Sequence, residues 1–218
     1  QWRLGKAQDS FCPMGPWAVT RDEIDLADTS VRTFVNGEKG ILRYRGYPIE
    51  QIAENASFLE VAYLLYHGRL PTRRELDDYQ EAITHYTSLR EEMKYLLEAF
   101  PKKAHPMQIL ASAVSALATY YIDALDPRDE EAIDISTKRL LAKVPTMVAW
   151  SYRHSYDLPY ADPRDDLDYT SNFLQMMFSS PSGDYEEDPL IARALDILFI
   201  LHADHEQNCS ATTVRVVG

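Results

Sequence analysis

The chain has 218 residues, 45% hydrophobic and 26% charged, a globular composition that argues against disordered, collagen-like and coiled-coil chains. Lys and Arg number 22 against 34 Asp and Glu, and the resulting net charge of −12 argues against binding to nucleic acid or to an anionic membrane. The 2 cysteines make no disulfide framework, and no apolar run or signal-peptide pattern indicates a membrane or an export route, so a cytoplasmic location is predicted.

The first predicted elements are strands. Residues 31–36 have the Val, Thr and Phe content of a strand, and residues 40–45 alternate apolar and basic positions before Gly46. Asn36-Gly37 lies between them and is a strong turn signal. A β-hairpin across Asn36-Gly37 is therefore predicted, with helices from Tyr47 onward.

Helix caps and breakers place the later elements. Ser57 and Glu60 form a capping box that opens a helix ending at Gly68, and a second box begins at Thr72. Together with proline positions and apolar spacing, these signals predict helices over 58–67, 72–89, 91–100, 107–125, from 129 with a kink or break at Pro145, 165–179 and 189–201. About seven helices and one hairpin predict a mainly α, multi-helical fold with a small N-terminal β segment.

The densest polar cluster follows the last of these helices and begins with His202, Asp204 and His205. His202 and His205 are three residues apart and share one face of a helical turn, where their imidazoles can donate to an anionic carboxylate. Three interpretations stay open, in decreasing weight: a ligand site, a structural capping cluster, and a metal site. No third metal ligand accompanies the pair, so no metal is predicted.

A weaker candidate site combines Arg139, Lys143 and Tyr121. The two cations are four residues apart on a helix and share a face that suits a phosphate, although an ordinary solvated face explains them as well. The chain has no phosphate-binding glycine loop, dinucleotide fingerprint or nucleophile elbow, which argues against dehydrogenases, kinases and α/β-hydrolases.

Several separate motifs resemble one family. Residues 37–49 resemble the N-terminal hairpin of citrate synthases of the hexameric, proteobacterial type, and the resemblance extends over about residues 37–218. The other matching motifs are Phe58-Leu59-Glu60-Val61-Ala62-Tyr63-Leu64-Leu65, His105-Pro106-Met107, Asn172-Phe173-Leu174 and Leu201-His202-Ala203-Asp204-His205-Glu206-Gln207-Asn208.

The resemblance implies an acyltransferase of the tricarboxylic acid cycle that condenses acetyl-CoA with oxaloacetate and water to give citrate and CoA. It implies that His205 contacts oxaloacetate and that His202 supports it. The family's catalytic His and Asp fall beyond Gly218, so no catalytic residue is expected in this chain and the fragment is predicted to be inactive alone. The family also implies a homodimer or a higher homo-oligomer.

A regulatory site is implied for the same subgroup. NADH inhibits those enzymes as an allosteric ligand, and Tyr121, Arg139 and Lys143 match residues near that nucleotide. Ser182 replaces a cysteine of some members, and His85 occupies another basic position of the pocket. The resemblance implies no resident cofactor, since acetyl-CoA is a substrate.

The start of the chain resembles a different family. Motifs within residues 1–38 are similar to the fumarylacetoacetate hydrolase family, in which Lys6 and Ser10 match positions beside a divalent metal. The expected domains are thus a hydrolase-like β segment at 1–38 and a truncated citrate synthase-like helical domain at 39–218, joined in a fusion. A non-catalytic helical scaffold or dimerisation module is the second functional hypothesis, and a metal-dependent C–C hydrolase fragment is the third.

Overall fold

The computed structural model describes residues 34–35, 38–39, 42–122, 126, 128–180 and 185–204. Contacts divide the chain into two units, Gln1–Ile49 with Asp204–Gly218, and Glu50–Ala203. The predicted domain boundary between residues 38 and 39 divides the chain by its two family resemblances and not by contacts, and it stays a prediction.

The first unit contains two short hairpins. Strands β1 (Phe34–Val35) and β2 (Glu38–Lys39) pair antiparallel across Asn36-Gly37, where the turn signal predicts a hairpin. Within the predicted strand over 40–45, Arg43 and Tyr44 form β3, Arg45 lies in a turn, and Gly40 and Ile41 lie outside the described residues. Strand β3 (Arg43–Tyr44) pairs with β4 (Tyr47–Pro48).

The turn between β3 and β4 explains this difference. Arg45 and Gly46 both have positive φ, at 49° and 95°, as a tight hairpin turn of the I′ type requires. The Arg43 guanidinium also donates to the Gly46 carbonyl at 2.9 Å. The turn therefore keeps Tyr47 and Pro48 extended, and the first helix begins two residues later than predicted.

Helix α1 (Ile49–Asn55) falls in the region from Tyr47 onward that is predicted to be helical, but no separate helix is predicted there. The next three helices lie close to their predicted positions and are α2 (Phe58–His67), α3 (Arg73–Tyr86) and α4 (Glu91–Glu98). Both predicted capping boxes form, and Gly68 ends α2 in the left-handed conformation with its N–H donating to the Leu64 carbonyl at 2.8 Å. Helices α3 and α4 end earlier than predicted, by about one turn for α3.

Helix α5 (Pro106–Ala118) is shorter than the predicted 107–125. Thr119 ends it, because its N–H and its hydroxyl both donate to the Ala116 carbonyl, at 3.0 and 2.7 Å, and so replace the next helical turn. Helix α6 (Glu130–Ser155) runs through Pro145 without a break, so of the two predicted outcomes at that residue the break is wrong and the kink stays a prediction.

Helix α7 (Tyr169–Phe178) begins four residues after the predicted start. Its N-cap is Asp168, which accepts from the N–H groups of Thr170 and Ser171 at 2.9 and 2.8 Å. The preceding loop is held by Asn172, whose side chain accepts from Arg164 N–H at 3.0 Å and donates to Arg164 C=O at 2.7 Å. Helix α8 (Pro189–Leu201) has the predicted bounds.

The core of the second unit is arranged around α6, which contacts α3, α4, α5 and α7. One cluster of buried residues joins α4, α5 and α6 and consists of Met93, Leu97, Ile109, Ala113, Leu117, Met147 and Trp150. A second joins α2, α3 and α6 and consists of Leu59, Tyr63, Tyr79, Ile83 and Ala142. The described residues thus form a mainly α, multi-helical fold with a small β segment, as predicted.

No helix in the described ranges combines the length and the apolar character that a membrane span needs.

Candidate functional site

His202 is the C-cap of α8 and is exposed. Its N–H donates to the carbonyls of Leu198 and Phe199, each at 3.2 Å. Its ring Nδ1 lies 2.7 Å from the Leu198 carbonyl oxygen, and a carbonyl can only accept, so Nδ1 carries the proton. In the neutral ring Nε2 is then the acceptor. The helix end thereby determines both the tautomer and the orientation of His202.

The rest of the predicted C-terminal cluster lies outside the described residues, His205 included. The last described member is Asp204, whose N–H donates to the Tyr44 hydroxyl at 3.3 Å within the first unit. Tyr44 is buried, with 1% of its surface exposed. The role predicted for His205 therefore stays a prediction.

The structure brings the three residues of the second predicted site together. The Arg139 guanidinium carbon lies 4.3 Å from the centre of the Tyr121 ring and 5.6 Å from that of Tyr86. The Lys143 Nζ lies 5.6 Å from the Tyr121 ring centre. We call Tyr86, Tyr121, Arg139 and Lys143 the cation–aromatic cluster. Rings that flank two cations offset part of their mutual repulsion.

Lys143 is already engaged within this cluster. It is buried, and Nζ donates to the carbonyls of Tyr86 at 2.7 Å and Ser88 at 2.6 Å. Burial, and secondarily the charge of Arg139, lowers the pKa of Lys143 to about 8. Thr146, one turn further along α6, donates to the Thr87 carbonyl at 3.0 Å. These bonds attach α6 to the connection between α3 and α4.

The family resemblance assigns two further residues, His85 and Ser182, to the same site. His85 is exposed in the last turn of α3, with its ring centre 5.3 Å from that of Tyr86. Ser182 lies outside the described residues. Histidine at the edge of the cluster adds a group that can bind an anion when protonated.

Sequence reasoning missed two polar networks. One is centred on Arg153, which is buried among backbone carbonyls, and the other on Asp196 and Arg193 of α8. The second had a signal, because Arg193 and Asp196 interrupt an otherwise apolar helix at a spacing of three residues. The first had none, since its acceptors are backbone groups that sequence does not distinguish.

In the ranges that the structure describes, no group of three His, Cys, Asp or Glu side chains converges to hold a metal ion. Lys6 and Ser10, the residues of the hydrolase resemblance, lie outside those ranges.

Comparison with known proteins gives a consistent result. The family model described as citrate synthase, C-terminal domain, matches residues 24–218. Citrate synthase 1 of Mycobacterium tuberculosis is 50% identical over 203 residues, which are 91% of this chain and 47% of that protein. Citrate synthase of Corynebacterium glutamicum is 52% identical over 186 residues, 85% of this chain and 43% of that protein.

Solved structures agree with the sequence matches. The crystal structure of citrate synthase from Pyrobaculum aerophilum superposes with a TM-score of 0.69 at 40% identity and covers 86% of this chain and 48% of that one. That of citrate synthase from Thermotoga maritima gives a TM-score of 0.65 at 30% identity, over 82% and 44% of the two chains. The predicted fold class is confirmed. The chain spans about half the length of the relatives it matches.

Proposed function

The chain belongs to the citrate synthase family, and from this premise we propose that it supplies the oxaloacetate-binding part of a citrate synthase. The reaction joins the methyl carbon of acetyl-CoA to the ketone carbon of oxaloacetate, and water then cleaves the thioester to release citrate and CoA. The observation that carries the proposal is the family match over residues 24–218, which includes both histidines of the C-terminal cluster.

The geometry of His202 supports this role. Because Nδ1 donates to the helix carbonyl of Leu198, the ring presents Nε2 away from that bond in a defined orientation. A histidine held in this way positions the turn that follows α8. We propose that His205, three residues later, contacts oxaloacetate directly and that His202 is a positioning residue for it.

This chain alone is expected to form no measurable citrate. The family resemblance places the acetyl-CoA-activating His and the proton-abstracting Asp beyond Gly218, and loss of such groups lowers rates by orders of magnitude. The test is release of free CoA thiol in the presence of both substrates. Turnover close to that of ordinary enzymes would contradict the proposed division of residues.

Oxaloacetate binding tests the proposal without catalysis. NMR titration of the histidine ring signals should show shifts at His205 with an affinity of about millimolar or weaker, since few charge-assisted contacts are available. His205→Ala should remove the effect, and His67→Ala, which removes an exposed histidine on α2, should preserve it. A folded chain without His205 shifts at saturating oxaloacetate would leave the scaffold or dimerisation module as the better hypothesis.

A second function, nucleotide binding, is favoured by the cation–aromatic cluster. We propose that NADH binds beside Tyr121 and Arg139, with the adenine or nicotinamide ring on the aromatic face and a phosphate near the guanidinium. Lys143 would then contribute without contacting the nucleotide directly, because its Nζ already donates to the carbonyls of Tyr86 and Ser88.

NADH fluorescence provides the readout. Arg139→Met should weaken binding about tenfold, and Arg73→Met, at an exposed position on α3, should leave it unchanged. If Arg139→Met and Arg73→Met bind NADH equally well, the cation–aromatic cluster is not part of a nucleotide site.

Three finer statements stay proposals. The hexameric, proteobacterial-type assembly and the cytoplasmic location rest on the resemblance and on composition. The hydrolase-like origin of residues 1–38 rests mainly on residues before 24, because the citrate synthase match already includes 24–38.

The third functional hypothesis, a fragment of a metal-dependent hydrolase, predicts that the chain binds divalent cations. Calorimetric titration of the full chain with Mg²⁺ would test this prediction.

A further inference from the structure

A cavity of the second unit lies between the connection from α4 to α5, the first turns of α5 and the last turns of α6. Its volume is 600 Å³, within the range of about 300–1,000 Å³ that is typical of small-molecule sites. Its apolar wall contains Met107 and Leu110 of α5, Val148 of α6 and Met177 of α7. Met107 is 62% exposed, so a ligand can enter from the side of α5.

The charged side chains of this cavity are both cationic. Among the described residues, Lys102 and Lys103 line it and no Asp or Glu does, although the chain carries 34 acidic residues against 22 Lys and Arg. Lys102 pairs with Asp157. Lys103 is exposed and has no ion pair within the part of the chain that the structure describes. The ammonium group of Lys103 is therefore available to an anionic ligand.

A buried hydroxyl lines the same cavity. Ser151 of α6 is 6% exposed, and its hydroxyl has no hydrogen-bond partner among the described residues. Ser155, one turn later, instead donates to the carbonyl four residues before it, that of Ser151, at 3.0 Å. Because buried polar groups normally have partners, the Ser151 hydroxyl indicates a ligand that supplies one.

The apolar part of the lining favours a flexible aliphatic group over a flat ring. Met107 and Met177 have unbranched side chains that adapt to apolar groups of varied shape. The rings of Tyr152 and Tyr156 pack on each other with centres 4.7 Å apart, and Tyr152 also contacts Phe178 with ring centres 5.8 Å apart. These rings are thus engaged with one another and do not form a slot that would enclose an aromatic ligand.

We propose that this cavity binds an aliphatic monocarboxylate of the medium-chain fatty acid class. The carboxylate accepts from the Lys103 ammonium and the Ser151 hydroxyl, and the chain lies against Met107, Leu110 and Val148. Burial of the methylene groups supplies the affinity, and the two polar groups select an anion over a cation. Among the described residues, none that is assigned to oxaloacetate or NADH lines this cavity, so the proposal is independent of both.

Calorimetric titration of the full chain with decanoate tests the proposal. Binding should be saturable at one decanoate per chain. Lys103→Glu reverses the charge at an exposed position and should weaken binding at least about tenfold. Ser151→Ala removes only the hydroxyl and should weaken it about fivefold. Decyltrimethylammonium, which has the same chain length and the opposite charge, should bind the wild type at least about tenfold more weakly than decanoate does.

Arg74→Glu is the matched control, because it makes the same change in net charge outside the cavity, at a side chain that is 92% exposed. It should bind decanoate as the wild type does, and circular dichroism establishes that each variant is folded. Equal affinity of wild type and Lys103→Glu for decanoate overturns the proposal. Equal affinity of the wild type for decanoate and decyltrimethylammonium overturns it as well, since binding would then be unselective, and so does the absence of saturable binding.

Discussion

Arg153 is a buried arginine whose partners are backbone carbonyls. Its exposure is 2%, its Nη1 donates to the carbonyls of Met176, Met177 and Ser179 at 3.3, 3.2 and 2.9 Å, and its Nε donates to Pro159. The first three acceptors lie at the C-terminal end of α7, where helical carbonyls lack partners and the helix dipole is negative. Burial lowers the pKa of Arg153, and the carbonyls offset part of the cost of its charge.

Arg153→Met should therefore be severely destabilising. It leaves the carbonyl acceptors at the end of α7 without their donor, so the free energy of unfolding should fall by about 3 kcal/mol or more in urea denaturation. Arg164→Met is the matched control, because Arg164 pairs with Asp166 at an exposed site where an ion pair contributes less than about 1 kcal/mol. Similar losses for the two variants would contradict the role assigned to Arg153.

Lys143 predicts a pH dependence of stability. Its pKa is about 8 in the folded chain against an ordinary value of 10.5, so between these values the unfolded chain binds more protons than the folded one. Stability attributable to Lys143 should rise as pH increases from about 8 to 10.5, by about 1–3 kcal/mol. The neutral amine keeps two N–H groups, enough for its two carbonyl acceptors.

Chemical denaturation at several pH values measures this effect. The difference in unfolding free energy between wild type and Lys143→Met should grow over that range, while tyrosine titrations common to both proteins cancel. Lys103→Met, at an exposed position, should run parallel to wild type. A constant difference between wild type and Lys143→Met would show that Lys143 is not desolvated.

At the scale of elements, α6 passes through a proline because another helix satisfies the backbone group that the proline releases. Pro145 has no N–H, so the carbonyl of Leu141, four residues earlier, lacks its helical donor. The Tyr169 hydroxyl, at the start of α7, donates to that carbonyl at 2.8 Å. Burial raises the pKa of Tyr169, which keeps the hydroxyl protonated as a donor. Packing of α7 on α6 thus compensates for the proline.

A double-mutant cycle tests this compensation. Tyr169→Phe should cost about 1–2 kcal/mol, because the Leu141 carbonyl is left without a donor at a partly buried position. In the Pro145→Ala background the restored N–H can serve that carbonyl, so the same substitution should cost at least about 0.5 kcal/mol less. Tyr95→Phe, at a site that is 71% exposed, should be close to neutral in both backgrounds. Additive effects of Tyr169→Phe and Pro145→Ala would exclude the coupling.

At the scale of the whole second unit, Asp196 and Arg193 join residues far apart in sequence. Asp196 accepts from Phe58 N–H at 2.9 Å at the start of α2, and Arg193 donates to the carbonyls of Ala53, Glu54 and Ala56 around the end of α1. The two side chains also pair with each other at 2.7 Å. Each charge complements the helix end that it meets, anion at the N-terminus and cation at the C-terminus.

Asp196→Ala should accordingly loosen the packing of α8 on α1 and α2. We expect a loss of about 2–3 kcal/mol in unfolding free energy, since it leaves the Phe58 N–H without its acceptor and Arg193 without its carboxylate partner. Asp188→Ala removes the local N-cap of the same helix and should cost only about 1 kcal/mol. Hydrogen exchange should show faster exchange at the start of α2 in Asp196→Ala alone. Equal losses and equal exchange patterns would mean that the long-range network adds nothing to the local cap.

Most helix boundaries could be predicted from sequence because their causes lie within one turn. Ser57 with Glu60, Thr72 with Glu75, and Asp188 before Pro189 all act on backbone groups two or three residues away. The face shared by Arg139 and Lys143 follows from helical spacing in the same way. The fold class, the order of the helices and the shared face of those two cations therefore follow from the sequence.

Features whose hydrogen-bond partners lie far along the chain depend on how the helices pack and could not be predicted from the sequence. The continuity of α6 through Pro145 depends on Tyr169, and the engagement of Lys143 depends on carbonyls that lie 57 and 55 residues away. The burial of Arg153 likewise depends on the end of α7. Backbone carbonyls are identical at every residue, so no local pattern marks which of them will accept a distant side chain. That choice is made when the helices pack, because buried polar groups must then find partners.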